Sequence, residues 1–174
     1  MMRNVEIKAR VSDFEAIRSV AEGIADGPPM LIEQEDTFFE CPNGRLKVRR
    51  FSSHVGELIY YERRNTAEPA ESRYIRAATG DPELLVRALS HALAVRGVVR
   101  KKRILYVSGE TRIHLDEVEG LGRFVELEVV LAPGQAFSDG LREARATMSR
   151  LGIQQHQLVD QAYIDLLEHR AVQT

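Results

Sequence analysis

RIHLDEVEGLGRFVELEVVL, residues 112–131, decides the fold. It reads as two strands joined by the turn Glu119-Gly120-Leu121-Gly122. In the first arm Ile113 and Leu115 point one way, and Arg112, His114 and Asp116 the other. In the second, Val125, Leu127, Val129 and Leu131 share a face, and Glu126 and Glu128 share its opposite. Successive side chains of a strand project to opposite faces, so Glu126 and Glu128 stand side by side. Antiparallel pairing through the turn can bring Asp116 close to them. Three carboxylates on one patch repel each other unless cations sit between them, which is how a Mg²⁺ or Mn²⁺ site is built. The competing reading is the solvated outer face of a half-exposed hairpin.

Outward from this hairpin the same alternation recurs. Strands are expected at Asn4–Val11, Leu31–Phe39, Arg45–Phe51, Glu57–Arg64, Ser72–Ala77 and Val98–Val107. The polar stretch Asn65–Glu71 reads as a loop. Helices are expected after the cap Ser12 or Asp13, after Asp81-Pro82, after Ser138, and over Asp160–Arg170. The second helix carries an apolar stripe of Leu84, Leu85, Ala88, Leu89, Ala92 and Leu93, with Gly97 past its end. No repeat or linker divides the chain, so residues 1–174 are expected to form a single domain.

The 174 residues suffice for a sizeable core, and 44% hydrophobic with 29% charged residues describes a globular chain. A net charge of -2 argues against nucleic-acid binding through a broad positive field. The single Cys41 excludes an intrachain disulfide and any multi-cysteine zinc site. It fits a reducing cytoplasm. The opening MMRNVEIKARV has no apolar signal region, and no apolar run approaches the length of a membrane span.

On strand after strand, charges lie opposite an apolar face: Glu6 and Lys8, Lys47 and Arg49, Lys101 and Arg103, Asp116, Glu126 and Glu128. About eight strands tend to curl and close. Closure with the helices outside turns the charges inward, into a hydrated bore. Isolated buried charges are costly, so such a bore must hold counterions or a charged ligand. Separate acidic and basic patches suit a polyphosphate, gripped by Lys and Arg, with divalent cations between its oxygens and the carboxylates.

Glu6-Ile7-Lys8, Lys101-x-Arg103, Asp116 ten residues before Glu126, and Glu126-x-Glu128 together resemble the CYTH superfamily, the triphosphate tunnel metalloenzymes. LDEVEGLGRFVELE is especially similar to its class IV adenylyl cyclase-like branch. The resemblance runs nearly the length of the chain. It implies an α+β fold: a closed eight-stranded antiparallel barrel with peripheral helices. It implies triphosphate binding by Lys8, Arg49, Lys101 and Arg103, with Lys8, Lys101 and Arg103 acting in catalysis. It implies metal, Mg²⁺ or Mn²⁺, on Glu6, Glu126 and Glu128 with Asp116 beside them, and a homodimer. Lys47 joins the cradle because it shares the face of Arg49.

Three departures stand out, one being that the fifth strand, SRYIR, offers only Arg73 and Arg76 where a basic-then-acidic pair is expected. The family signature opens Glu-x-Glu-x-Lys, and Asn4 occupies the first Glu position; it offers a neutral oxygen without charge. The fourth strand carries Tyr61 where a Lys is usual, and Arg63, on the same face, is expected to substitute in the phosphate cradle. His114 is read as a hydrogen-bonding neighbour of Asp116, and Arg100 and Lys102 as solvated. The expected activity is that of a class IV adenylyl cyclase, ATP to cyclic AMP and pyrophosphate. The alternatives are a triphosphatase acting on thiamine triphosphate, inorganic triphosphate or a nucleotide, and a non-catalytic phosphate-ligand binding protein, a reading that Asn4 supports. No nucleic-acid or membrane partner is expected.

Overall fold

A computed structural model describes residues 1–172. The alternating segments form eight strands: β1 Met2–Arg10, β2 Met30–Phe39, β3 Arg45–Arg50, β4 Gly56–Arg63, β5 Ala70–Thr79, β6 Val95–Ser108, β7 Thr111–Val118 and β8 Gly122–Leu131. They close into an antiparallel barrel in the order β1-β5-β4-β3-β2-β6-β7-β8. The seam is long: β1 pairs with β8 from Arg3↔Leu131 to Arg10↔Phe124. The β7–β8 turn uses Gly120 and Gly122 at positive φ, 76° and 93°, which other residues adopt only with strain.

Among the described residues four helices accompany the barrel: α1 Phe14–Ile24, α2 Pro82–Ala92, α3 Phe137–Arg150 and α4 Tyr163–Val172. Asp13 caps α1 by accepting from the Ala16 amide at 3.0 Å, and Asp81 caps α2 from the Leu84 amide at 2.9 Å. The core lies outside the barrel wall. Ile7, Ala9, Ile113, Leu115, Val125 and Leu127 of the strands pack against Phe14, Ile17 and Ala21 of α1 and Met148 of α3. Each fully buried Val, Leu or Ile side chain contributes about 1.5–3 kcal/mol. Leu127 is fully buried, and Leu127→Ala would cost ~2–5 kcal/mol. With the apolar faces turned to the helices, the charged faces point inward, as the alternation required.

Several boundaries differ from expectation. β5 runs from Ala70 to Thr79, because Ala70 and Glu71 pair with Glu6 and Val5 of β1; the loop before it is correspondingly shorter. Gly97 does follow the end of α2, which closes at Ala92, but it lies within β6. It sits opposite Phe38 beside a register shift, and a Cβ there would come within 2.9 Å of Ile164 Cδ1. The apolar stripe of α2 is not core: Pro82 is its buried residue and Leu84 is 49% exposed. α3 begins at Phe137 with Ala136 in the cap position and no side-chain cap, displacing Ser138; Phe137 packs on the Val5–Val129–Leu131 cluster instead. A short 3₁₀ turn, Gln155–Gln157, precedes α4, which starts at Tyr163 and not at Asp160.

Candidate functional site

Alternate residues of all eight strands enter the barrel and line a cavity of about 580 Å³. Strand register fixes which of them meet. Glu6 pairs with Glu128 and Lys8 with Glu126 across the seam. His114 pairs with Glu126 and Arg112 with Glu128 across the hairpin. On the opposite wall Asp36 pairs with Arg49, and Gln34 with Lys101. α4 packs over one end, where Tyr163 meets Phe124 edge-on at 5.0 Å in a cluster with Phe38 and Val99. The other end is flanked by apolar side chains: Met30 and Ile32 of β2, Leu105 and Val107 of β6, and Phe51 after β3.

Two buried aspartates organise the cations. Asp36 accepts from Lys47 Nζ at 2.7 Å and from Arg49 Nε and Nη2 at 2.7 and 2.8 Å. Asp116, fully buried, accepts from Arg103 Nε and Nη2 at 2.6 Å each, from Lys101 Nζ at 3.1 Å and from the Tyr163 hydroxyl at 3.0 Å. Arg103 continues to Glu126 at 2.5 Å, and Lys8 reaches the other Glu126 oxygen at 3.0 Å. Arg63 pairs with Glu6 at 2.7 Å. The Tyr163 ring lies 3.9 Å from Lys8 Nζ and 4.8 Å from Lys101 Nζ, adding cation–π attraction. These pairings are what burial of so many charges demands.

The titrations follow. Burial opposes ionisation of Asp116, yet Arg103 and Lys101 hold its carboxyl down to about 2. Burial likewise opposes ionisation of Asp36, and Arg49 and Lys47 hold it well below the carboxylate range. Burial and the neighbouring Arg49 push the Lys47 ammonium down to about 8, with Asp36 pulling the other way. Burial lifts the Glu6 carboxyl to about 7, Arg63 opposing and Glu128 and Glu126 adding to the rise.

Glu128 lies 3.7 Å from Arg112 and 3.8 Å from His114 Nδ1. His114 and Asn4 are each 3% exposed, and His114 Nδ1 and Asn4 Oδ1 have no hydrogen-bond partner among the described residues. Burial, with Arg103 nearby, lowers the His114 pKa and keeps its ring neutral at pH 7. Carboxylate and amide oxygens are the donors that Mg²⁺ or Mn²⁺ takes, so Glu6, Glu126, Glu128 and the orphaned Asn4 oxygen fit such an ion. In this arrangement the acids turn to protein cations, and among the described residues no three His, Cys, Asp or Glu side chains form a ready cage.

The CYTH domain family model matches residues 2–163. The chain belongs to the CYTH family. A similar curated CYTH relative is the adenylate cyclase CyaB of Aeromonas hydrophila, 25% identical over 94% of this chain and 88% of that one. Among solved structures, the PH1012 protein of Pyrococcus horikoshii superposes with a TM-score of 0.83 at 28% identity, covering 94% of this chain and 98% of that one. The Hippeastrum adenylyl cyclase candidate HpAC1, described as having a dominant triphosphatase activity, shares the fold: TM-score 0.63, 15% identity, 98% of this chain and 96% of that one. No helix among the described residues is long and apolar enough to cross a membrane.

Against this CYTH frame, the structure gathers Glu6, Lys8, Lys47, Arg49, Arg63, Lys101, Arg103, Glu126 and Glu128 around one cavity. Asp116 lies beneath it, joined to Glu126 through Arg103. Tyr61 lines the bore, while Tyr60 turns outward and donates to Glu62 at 2.6 Å. Gln34, Asp36 and Tyr163 also line the cavity and were not among the expected site residues. Gln34 and Asp36 carried a signal, being polar residues in phase with Ile32 and Phe38 on β2; Tyr163, at a helix start, carried none.

Proposed function

We propose that this CYTH protein binds the triphosphate of ATP in its bore and forms cyclic AMP and pyrophosphate with a divalent metal, Mg²⁺ or Mn²⁺. The observation that carries this reading is one cavity in which Lys and Arg side chains of several strands converge beside a carboxylate row of Glu6, Glu126 and Glu128. Lys8, Lys47, Arg49, Arg63, Lys101 and Arg103 would take phosphate oxygens, with Lys8, Lys101 and Arg103 bearing on the reacting phosphorus. Glu6, Glu126 and Glu128 would hold the metal, with Asp116 beside them fixing Lys101 and Arg103. When bound, the metal supplies Lewis-acid polarisation of a phosphoryl oxygen. The apolar flank of Met30, Ile32, Leu105, Val107 and Phe51 supports a substrate with an organic half, because inorganic triphosphate has nothing to set against it.

The ribose 3′-oxygen attacks the α-phosphorus, the 3′-O–P bond forms, and the bond to the β-phosphate bridging oxygen breaks. The hydroxyl proton leaves to solvent, and pyrophosphate departs with the charge it gains. The chain's contribution is positioning and electrostatic: Asp36 and Asp116 hold the guanidinium groups in fixed orientation before the ligand arrives. The test incubates purified protein with ATP and with inorganic triphosphate, under Mg²⁺ and under Mn²⁺. Cyclic AMP with pyrophosphate supports the cyclase. ADP with phosphate, or faster cleavage of inorganic triphosphate, replaces it by a triphosphatase. Binding of triphosphate without turnover replaces both by a binding protein.

A further inference from the structure

His114 projects from the middle of β7 into the bore, and its Nδ1 meets no hydrogen-bond partner among the described residues. Burying an unsatisfied polar atom costs about 1–3 kcal/mol, so the position asks for a partner that the protein does not itself supply. Nδ1 stands 3.8 Å from Glu128 Oε1 and 3.9 Å from Glu126 Oε2. Both separations are too long for hydrogen bonds. Two donors about 2.1 Å from one metal lie ~3 Å apart when adjacent and ~4.2 Å apart when opposite; the observed separations fall between the two, so a small closing of the pair onto an ion would make them adjacent ligands. The facing oxygen of Glu126 is already engaged by Arg103 at 2.5 Å, whereas Glu128 has only the longer contacts to Arg112 and His114. Glu128 also pairs across the seam with Glu6, which adds a further carboxylate on the same row.

We infer that His114 ligates, through Nδ1, the divalent cation held by Glu128, so that this site takes ions that accept an imidazole nitrogen in preference to Mg²⁺. The inference rests on the metal-assisted reading above and adds a selectivity to it. An all-oxygen set suits Mg²⁺, whereas an imidazole ligand favours ions later in the first transition row. The ligation leaves Asp116 free to keep its hold on Lys101 and Arg103, since the carboxylates nearest His114 Nδ1 are Glu128 and Glu126.

The test uses the whole protein loaded with Mn²⁺ alone and reads electron spin-echo envelope modulation. Couplings to a directly bound ¹⁴N should appear, change on labelling with ¹⁵N-histidine, and vanish in His114→Gln but persist in His54→Gln, a substitution in an exposed loop. By calorimetry, His114→Gln should raise the Kd for Co²⁺ about tenfold, with a change of less than about twofold for Mg²⁺. If His114→Gln fails to fold, His114→Asn carries the same comparison. Mn²⁺ bound in a manner lost in Glu128→Gln, but without nitrogen coupling, overturns the inference and leaves the triphosphate chemistry standing. No bound Mn²⁺ at all also overturns it, and the product assay on ATP then judges the parent reading separately.

Discussion

Asp116 holds one edge of the Arg103 guanidinium with both its oxygens, Nε donating to Oδ1 and Nη2 to Oδ2, each at 2.6 Å. The carboxylate is fully buried, so this fork exists before any ligand enters. Asp116→Asn leaves Lys101 and Arg103 as buried like charges and should lower stability by ~3–5 kcal/mol. An anionic ligand can restore the missing charge. The variant should therefore melt earlier than wild type without ligand, yet gain more from millimolar triphosphate. An unchanged melting temperature without ligand would show that the fork contributes nothing.

Triphosphate should stabilise the wild-type barrel through the same cations. At a concentration of about a hundred times its Kd, a ligand adds roughly 2.7 kcal/mol. Lys101→Ala and Arg103→Ala should each shrink that thermal shift. A melt unmoved by millimolar triphosphate would count against the bore as a phosphate site.

Glu126 and Glu128 should part company in stability while agreeing in activity. Glu126 touches Lys8 at 3.0 Å and Arg103 at 2.5 Å, so Glu126→Gln should cost ~2 kcal/mol. Glu128 makes only contacts of 3.7 and 3.8 Å, and Glu128→Gln should stay within ~1 kcal/mol of wild type. Both should lose about 100-fold or more in turnover, ~2.7 kcal/mol of transition-state stabilisation. Denaturant melts and initial rates at low Mg²⁺ decide it; full activity in both would return the hairpin to a solvated face.

Lys47 makes the stability and the affinity depend on alkaline pH in opposite directions. Its folded-state pKa of about 8 lies below the ordinary 10.5. Burying its ammonium therefore costs stability below pH 8, and that cost fades as pH rises from 8 past 10.5. Unliganded protein should gain stability across this window, and Lys47→Met should lose that slope. A bound phosphate needs the ammonium, so affinity should fall above pH 8 and binding should take up a proton. Calorimetry at about pH 8.5 in buffers of different ionisation enthalpy would count that proton, and its absence would remove Lys47 from the cradle.

Asn4→Glu restores a carboxylate beside Glu6 and Glu128. It should raise activity at low metal while lowering stability in metal-free buffer, since a further buried acid joins the row. Activity that does not change with metal would mean that the neutral oxygen of Asn4 has cost no ligand.

The period of two along each strand is written residue by residue, which is why Glu6 and Lys8, Lys101 and Arg103, and Glu126 and Glu128 could be assigned to one interior from sequence. Asp36 was equally in phase but sat in LIEQEDTFF, where an acid reads as an ordinary polar position until closure shows that it faces Lys47 and Arg49. Tyr163 was illegible because its role comes from α4 crossing the barrel end, a tertiary event with no local pattern. The stripe of α2 misled for the converse reason. Its helical period is genuine, yet the core lies against α1, α3 and α4. The extra residues of β5 were set by strand partners: Ala70 and Glu71 by β1, more than sixty positions away, and Ala78 and Thr79 by β4.

The seam between β1 and β8 joins residues over a hundred positions apart, Lys8 against Glu126 among them. A ribosome must release β8 before the first strand acquires that neighbour, so the barrel cannot close during synthesis of its first half. Contacts this remote in sequence slow the conformational search. Until closure, Lys8 and Glu6 have no acidic row facing them, and a partly built sheet shows its charges to water. A phosphate ligand that needs the closed bore would bind only after the circle is complete, and a refolding experiment followed by ligand capture would time the joining of the seam itself.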